Sequence, residues 1–207
     1  RVCPKTVFLQ NGKNSLPEIT HEELCISCGH CVAVCPSGAI YHRDFPEGTI
    51  TAIDREMLPS QDQFFEMIRT RRSIRAFKDD PVEKELIEKI IDAARFAPSA
   101  HNSQSTDFTV VRNKDMLDKI VEMTASYLSK NAKQFRNPVL RSLLLMVAKD
   151  EIEGALHSLP SFDRVVNEYQ NGKDTILFGA QTLVFFHAAR NINMSDINAN
   201  LALENAS

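Results

Sequence analysis

Apolar residues recur at helical intervals along most of the chain after the first sixty residues. The spacing predicts helices over 62–70, 114–129 and 138–149. In the first of these helices Phe64 and Phe65 lie on one face together with the following apolar positions. The third is apolar around most of its circumference, so we expect it to be buried on most sides.

A further helix is predicted from its end signals. Asp80 has the character of an N-cap, Pro81 suits the first helical position, and Glu83 completes the spacing of a capping box. The helix should stop by Ala97, because the residue before Pro98 is disfavoured in the helical conformation.

Short runs of β-branched and aromatic residues predict strands over 108–111 and 183–186. Ser195 is expected to cap a final helix, and the chain ends within that helical pattern. Helices and strands are therefore mixed along the sequence, which favours an α+β fold.

The first sixty residues differ from the rest. They contain all five cysteines and five of the nine prolines, and they have few large apolar residues. A loop-rich segment of this size normally needs a metal or disulfides to hold it together. We therefore expect two domains, one over 1–60 and one over 61–207.

Composition excludes several classes of protein. The 207 residues are 43% hydrophobic and 25% charged, which is typical of a folded globular chain. The net charge of −3 excludes a basic nucleic-acid binder, and no apolar run is long enough for a membrane helix. The odd cysteine count and the close spacing of four cysteines disfavour a secreted disulfide framework.

Four cysteines form a run with the pattern C-x2-C-x2-C-x3-C-P, which is typical of bacterial iron–sulfur sites. The run consists of Cys25, Cys28, Cys31, Cys35 and Pro36. Short spacing lets one tight loop wrap several corners of a cubane. Structural zinc is the main alternative, but it normally takes two ligand pairs separated by a dozen or more residues.

The run resembles that of the bacterial two-cluster ferredoxins, in which the fourth cysteine of each run ligates the other cluster. The resemblance implies one [4Fe–4S] cluster held by Cys3, Cys25, Cys28 and Cys31, because Cys3-Pro4 matches the end of a preceding run. Cys35 would then belong to a second cluster. The simpler alternative assigns a single cluster to the four cysteines of the run itself.

Two polar clusters follow. The first combines guanidinium groups with a hydroxyl at a predicted helix end, which suits a phosphate; it consists of Arg71, Arg72, Ser73 and Arg75. The second lies between a predicted helix and a strand and includes Ser99, Asn102 and Gln104. By itself the first cluster is better explained as a solvated basic turn, and the second is compatible with an ordinary turn.

Together, R-R-S-I-R-x-F, then A-P-S-A-H-N-S-Q and a strand resemble the nitroreductase family of FMN-dependent enzymes. The resemblance implies an α+β homodimer with FMN at its interface. It assigns the first polar cluster to the FMN phosphate and ribityl end, and Asn102, with Ser99 and Gln104 nearby, to the flavin. The expected fold is thus a small ferredoxin-like module followed by a nitroreductase-like α+β domain.

The sequence departs from the family in two places. Gln104 is followed by Ser105-Thr106 where many members have Pro-Trp, and the glycine-rich segment near the family's C-terminus is absent. The chain lacks an initiator Met, has seven glycines and has no tryptophan. We therefore expect it to be truncated at both ends.

These features predict a cytoplasmic flavin oxidoreductase that receives electrons through its cluster and reduces a small electrophile such as a nitroaromatic or a quinone. The expected electron donor is a ferredoxin-like protein or NAD(P)H, and no nucleic-acid or membrane partner is expected. One alternative is an electron-transfer module with a non-catalytic flavin half, and another is a zinc-stapled interaction module.

Overall fold

The computed structural model describes residues 2–12, 15–46 and 48–207, which form α-helices and short strands. In chain order these are β1 (Phe8–Leu9), β2 (Glu18–Ile19), α1 (His30–Val34), α2 (Gln61–Thr70), α3 (Lys84–Arg95), β3 (Asp107–Val111), α4 (Lys114–Arg136), α5 (Pro138–Val147), α6 (Lys149–Gln170), β4 (Leu183–His187) and α7 (Ser195–Ala206). The strands pair as β1 with β2 and β3 with β4. Within the described part of the chain, no helix is long and apolar enough to cross a membrane.

The chain divides into two compact units. The first, called here the cluster unit, consists of Arg1–Arg71, Asp92–Asp107 and His187–Ser207. The second, called the helical unit, consists of Arg72–Ile91 and Phe108–Phe186. The domain boundary expected after the first sixty residues stays a prediction.

In the cluster unit, β1 runs antiparallel to β2, with Phe8 opposite Ile19. The helix predicted over 62–70 is present as α2, and it begins with a reciprocal capping box. The Gln63 backbone N–H donates to Ser60 Oγ over 3.3 Å, and the Ser60 N–H donates to Gln63 Oε1 over 2.8 Å. These bonds satisfy two of the backbone donors that every helix start leaves open.

The start predicted for α3 is wrong. The helix begins at Lys84, and its first backbone hydrogen bonds run from Leu86 and Ile87 to the carbonyl of Glu83. The Asp80–Val82 stretch lies outside the helix, and its Val82 carbonyl accepts a hydrogen bond from the Arg112 guanidinium at 2.6 Å.

In the helical unit, α4 is longer than the predicted 114–129 and continues to Arg136. Its buried face packs against α6, a helix that the sequence pattern did not predict. That face carries Leu117, Val121, Ala125 and Ala132. Gly154 and Pro160 obscure the helical signal of α6, because both residues are unfavourable inside helices. Arg136 and Asp163 form an ion pair between α4 and α6.

The expectation that 138–149 would be buried on most sides is wrong. The segment forms α5 over Pro138–Val147, which packs against α4 and α6 but has no buried residue. Val139, Met146 and Val147 are each about 80% exposed. Contacts with two neighbouring helices cover part of α5, and the rest of its apolar surface is exposed to solvent.

Helix α7 is hydrogen-bonded to the polar loop over 99–105 through the side chain of Asn198. Asn198, only 3% exposed, accepts the Ala100 backbone N–H at Oδ1 over 3.0 Å. Its Nδ2 group donates to Ser103 Oγ at 3.0 Å and to Ser105 Oγ at 3.2 Å. Ser195 is the first helical residue rather than the N-cap, because Met194 precedes it with a left-handed φ of 57°.

Replacing Asn198 by Ala is expected to cost about 2 kcal/mol of stability, because the buried Asn198 side chain loses its hydrogen bonds to the part-buried Ala100 N–H and to two serine hydroxyls. Chemical denaturation followed by circular dichroism measures the loss. Asn200→Ala is the matched control, since Asn200 lies exposed on the same helix and bonds only to Asp196. Equal stability of the two variants would contradict the prediction.

Candidate functional site

Four of the five cysteines line one cavity of about 700 Å³ in the cluster unit. They are Cys3, Cys25, Cys28 and Cys31. This is the set that the ferredoxin resemblance implied for a single [4Fe–4S] cluster. All five cysteines are free thiols, so each is chemically available as a ligand once deprotonated.

Cys35 is not among the residues that line this cavity. Its sulfur lies 3.6 Å from Ser37 Oγ and accepts the Ala39 backbone N–H at 3.3 Å. The Ser37 hydroxyl, followed by the Ala39 N–H, lowers the pKa of the Cys35 thiol below its ordinary value. The thiol of Cys35 therefore has a polar surrounding of its own.

Backbone groups shape the loop around the cavity. The Val7 N–H donates to the Cys3 sulfur at 3.4 Å. Gly29 adopts φ of 71° where α1 begins, and a Cβ atom at this position would lie 3.3 Å from the Phe45 ring. A larger residue would meet both the left-handed backbone and this ring, so the loop requires glycine here.

An iron–sulfur cluster binds the thiolate form of cysteine. Burial raises the pKa of the Cys31 thiol. Hydrogen bonds from nearby backbone N–H groups lower this pKa, the neighbouring Cys25 and Cys28 raise it, and the net direction is upward. Cluster loading would therefore displace a proton from this group. Among the described residues, no three His, Cys, Asp or Glu side chains lie close enough together to hold a single metal ion.

Two side chains near the cysteines were not predicted. His42 Nε2 lies 3.5 Å from the Cys25 sulfur, and Asp44 Oδ2 accepts the Ser27 hydroxyl at 2.5 Å. The Ser27 hydroxyl, with help from Arg43, lowers the pKa of the Asp44 carboxyl. Both contacts join residues 17 positions apart, and no periodic pattern in the sequence marks such a pair.

The second polar cluster predicted from the sequence is brought together in the cluster unit. Ser99 Oγ accepts the Gln104 backbone N–H at 3.0 Å, and Gln104 Nε2 donates to Asn102 Oδ1 at 3.4 Å. The Asn102 amide nitrogen donates to the carbonyls of Ile26 and Ser27 at 2.9 and 2.8 Å. Flavin binding by these residues stays a prediction, and their contact with the cysteine loop was not foreseen.

The first polar cluster is exposed along its whole length. Arg71 belongs to the cluster unit, where its Nε lies 3.5 Å from Glu204 Oε1. Arg72, Ser73 and Arg75 belong to the helical unit. Ser73 and Arg75 line a cavity of about 650 Å³ there, and the Arg75 guanidinium lies 5.7 Å from the centre of the Phe178 ring.

Asp174 organises the loop that contributes further lining residues to this cavity, among them Ile176, Leu177 and Phe178. Its carboxylate accepts the backbone N–H groups of Ile176, Leu177 and Gly179 at 2.8, 2.9 and 3.0 Å. Partial burial raises the pKa of the Asp174 carboxyl, but these N–H donors together outweigh it, so the pKa lies below the ordinary value. The charged carboxylate thus stabilises the loop.

Two family models match the chain. A 4Fe-4S binding domain matches residues 18–41, and the nitroreductase family matches residues 68–207. The cysteine run therefore lies in a 4Fe-4S module, and most of the remaining chain is nitroreductase-like in fold, which confirms the predicted α+β class and order. The chain belongs to the nitroreductase family.

Curated relatives agree with this family. The chain is 50% identical over 64 residues to a "Putative NADH dehydrogenase/NAD(P)H nitroreductase" of Methanothermobacter thermautotrophicus, a match covering 31% of this chain and 34% of that protein. It is 29% identical over 140 residues to mouse iodotyrosine deiodinase 1, covering 65% of this chain and 46% of that protein. The matches thus span from a third to about half of these relatives.

Two solved structures show partial likeness. An FMN-dependent nitroreductase of Clostridium difficile aligns with TM-score 0.48 and 21% identity, covering 71% of this chain and 54% of that one. A Bacteroides fragilis nitroreductase with bound FMN aligns with TM-score 0.46 and 19% identity, covering 69% and 60%.

The Asp174 loop should loosen in a pH-dependent way. Because the folded pKa is depressed, its stabilisation is present above the unfolded value of about 3.9 and is lost as the pH falls through the folded pKa. At pH 7, Asp174→Asn should speed amide exchange in the 176–179 segment roughly tenfold. Below about pH 4 the difference from the unmodified protein should shrink.

Hydrogen exchange measured by mass spectrometry tests this at several pH values. Asp115→Asn, at an exposed position of α4, controls for the loss of one carboxylate. A difference between Asp174→Asn and the unmodified protein that stays constant down to pH 3 would contradict the role given to the charge.

Proposed function

We propose that the chain is part of a flavin-dependent oxidoreductase with a built-in electron-transfer module. Electrons enter at the [4Fe–4S] cluster and pass to FMN, which reduces a small electrophilic acceptor such as a nitroaromatic or a quinone. The observation that carries the proposal is the direct contact between the cysteine loop and the predicted flavin loop through Asn102. Flavins accept electrons singly and deliver them in pairs, so bound FMN would convert one-electron transfer from the cluster into two-electron reduction of the acceptor.

The cluster's proposed ligands are Cys3, Cys25, Cys28 and Cys31, supported by their shared cavity. Cys35, with its separate Ser37 and Ala39 contacts, is left for a second cluster. The proposed FMN-binding residues are Arg71, Arg72, Ser73, Arg75, Ser99, Asn102 and Gln104. The arginines would hold the phosphate through charge-assisted bonds. The amide oxygens of Asn102 and Gln104 would face the edge of the flavin ring, since both N–H donors of Asn102 are bonded to the cysteine loop.

Two sources of electrons fit the proposal. A ferredoxin-like donor suits one-electron entry at an exposed cluster loop, and Cys25 is exposed. NAD(P)H suits direct hydride transfer to the flavin, and relatives bear that substrate in their names. An oxygen-sensitive cluster with free thiols fits the reducing cytoplasm.

We also propose that the chain forms a homodimer. The apolar face of α2 is open, with Phe64 and Phe65 each 52% exposed, and α5 leaves further apolar side chains uncovered. Each of these faces is an exposed apolar surface of the kind that typically marks an interaction site. A second copy of the chain would cover them.

A series of cysteine variants tests the cluster and its use. Cys3→Ser and Cys28→Ser should lose most of the bound iron and sulfide, whereas Cys35→Ser should keep one cluster, measured by metal analysis and EPR of anaerobically prepared protein. After addition of FMN and removal of unbound FMN by desalting, all three should show structured flavin bands in absorption. Reduced ferredoxin should reduce the flavin in Cys35→Ser and in the unmodified protein, but not in Cys28→Ser.

Each alternative has its own outcome. Loss of the cluster in Cys35→Ser but not in Cys3→Ser would assign a single cluster to the cysteine run. Unchanged ferredoxin-driven reduction in Cys28→Ser would overturn electron entry at the cluster. A cluster-loaded protein without flavin bands would indicate the electron-transfer module, and bound zinc without iron would indicate the stapled interaction module.

The dimer has a separate test. Light scattering should give twice the mass of the chain, and Phe65→Glu should shift the population toward monomer, because a charge on the apolar α2 face opposes its burial. Leu16→Glu places the same charge on an 87% exposed residue outside the helices and serves as the control. A monomeric unmodified protein would refute the proposal.

A further inference from the structure

One side chain joins the loop that carries the first two cysteines of the run to the loop between α3 and β3. Both donor hydrogens of the Asn102 amide are used, one on the Ile26 carbonyl at 2.9 Å and one on the Ser27 carbonyl at 2.8 Å. The partners are 76 and 75 positions apart in the chain. Such a pair of bonds fixes the distance and the orientation of the two loops at one point.

Both loops have a backbone that depends on its surroundings. Ser27 has φ of 47°, Asn102 has φ of 54°, and Gln104 has φ of 46°. Left-handed backbone is disfavoured for residues other than glycine and persists only where neighbouring contacts hold it. Asparagine tolerates this conformation better than most residues, which suits position 102.

Each loop is anchored on its other side as well. The Ser27 hydroxyl donates to Asp44, so Ser27 is held through its side chain and its carbonyl together. The loop of Asn102 is held by the buried Asn198, which bonds to Ala100 and to two serines. Asn102 is therefore the link between two supported segments rather than a contact between mobile ones.

The bonds also orient peptide groups at the cysteines. A trans peptide places its carbonyl and its N–H on opposite sides. With the carbonyls of Ile26 and Ser27 held toward Asn102, the N–H groups of Ser27 and Cys28 point the other way. Hydrogen bonds from such N–H groups to cluster sulfurs are among the factors that set a cluster's reduction potential.

We propose that Asn102 is a positioning residue that couples the two cofactor sites by clamping the Cys25–Cys28 loop onto the loop expected to bind flavin. The Asn102 side chain determines which backbone N–H groups of the cysteine loop face the cluster. It also fixes the position of the cluster relative to the flavin. The inference rests on the function proposed above and gives one residue a role at both sites.

The test compares Asn102→Asp, Asn102→Gly and the control Asn200→Asp in the full chain with its cluster loaded. Asp matches Asn in shape and tolerates the left-handed backbone, but it replaces the donors by oxygens that face two carbonyls. Gly removes the side chain without adding charge or backbone strain. Asn200 is exposed and bonds only within α7, so its replacement reports on the Asn-to-Asp change itself.

Two readouts are measured. In flavin-free protein, both Asn102 variants should shift the cluster's redox equilibrium at least tenfold toward the oxidised form, about 59 mV for a one-electron couple, with an altered EPR line shape. With FMN bound, flavin reduction after rapid reduction of the cluster should slow at least tenfold in both. Asn200→Asp should match the unmodified protein in both measurements.

The outcomes separate this inference from the proposed function. The positioning role is overturned if the cluster in Asn102→Gly has the same reduction potential and EPR line shape as in the unmodified protein. It is also overturned if only Asn102→Asp shifts the potential, because the shift would then come from the added charge. If the unmodified protein reduces its cluster but passes no electrons to FMN, the proposed function fails. The flavin-free potential then still decides whether Asn102 positions the cluster loop.

Discussion

Thiolate ligation, rather than apolar burial, is the interaction on which the N-terminal part of this protein depends. Among its described first sixty residues, Val7 is the only hydrophobic residue that is buried. A segment with so small a core stays folded only if another interaction replaces the missing hydrophobic stabilisation. The four cysteines that line one cavity are the residues proposed to supply it by holding the [4Fe–4S] cluster, and the left-handed backbone of Gly29 shapes the loop that carries them.

Polar contacts then connect this segment to the nitroreductase-like part. Ser27 is held by Asp44 and by Asn102, and the loop of Asn102 is held in turn by the buried Asn198 of α7. Hydrogen bonds of this kind are directional, so they specify one arrangement of the loops where apolar contacts would allow several. The cluster unit is thus organised by a chain of amides and hydroxyls.

The sequence was informative where signals are local. Helical spacing predicted α2, the central part of α3 and most of α4, and the cysteine run predicted the 4Fe-4S module. Prediction failed where a distant partner decides the outcome. Arg112 bonds to the Val82 carbonyl in the stretch just before α3, which the local end signals placed inside the helix. Packing against α4 stabilises α6 despite Pro160 in its interior.

The candidate site shows the same limit. The spacing of Cys25, Cys28 and Cys31 is visible in the sequence, but the contact between Asn102 and the Ser27 carbonyl is not, because it joins loops 75 positions apart. Asn198 carries a weak signal. It lies four residues before Ala202 on α7, and both are buried, so helical spacing marks it as an inward-facing polar residue that needs partners.

The cluster unit is assembled from segments that are far apart in the sequence, and this has a consequence for how it folds. Its three stretches come from the beginning, the middle and the end of the chain, and α7 belongs to the last of them. The cysteine run precedes Asn198, the residue that holds the loop of Asn102, so the thiols are synthesised before the side chain that completes the support of their loop. Folding of the cluster unit therefore requires α7 to pack back onto segments that were made much earlier.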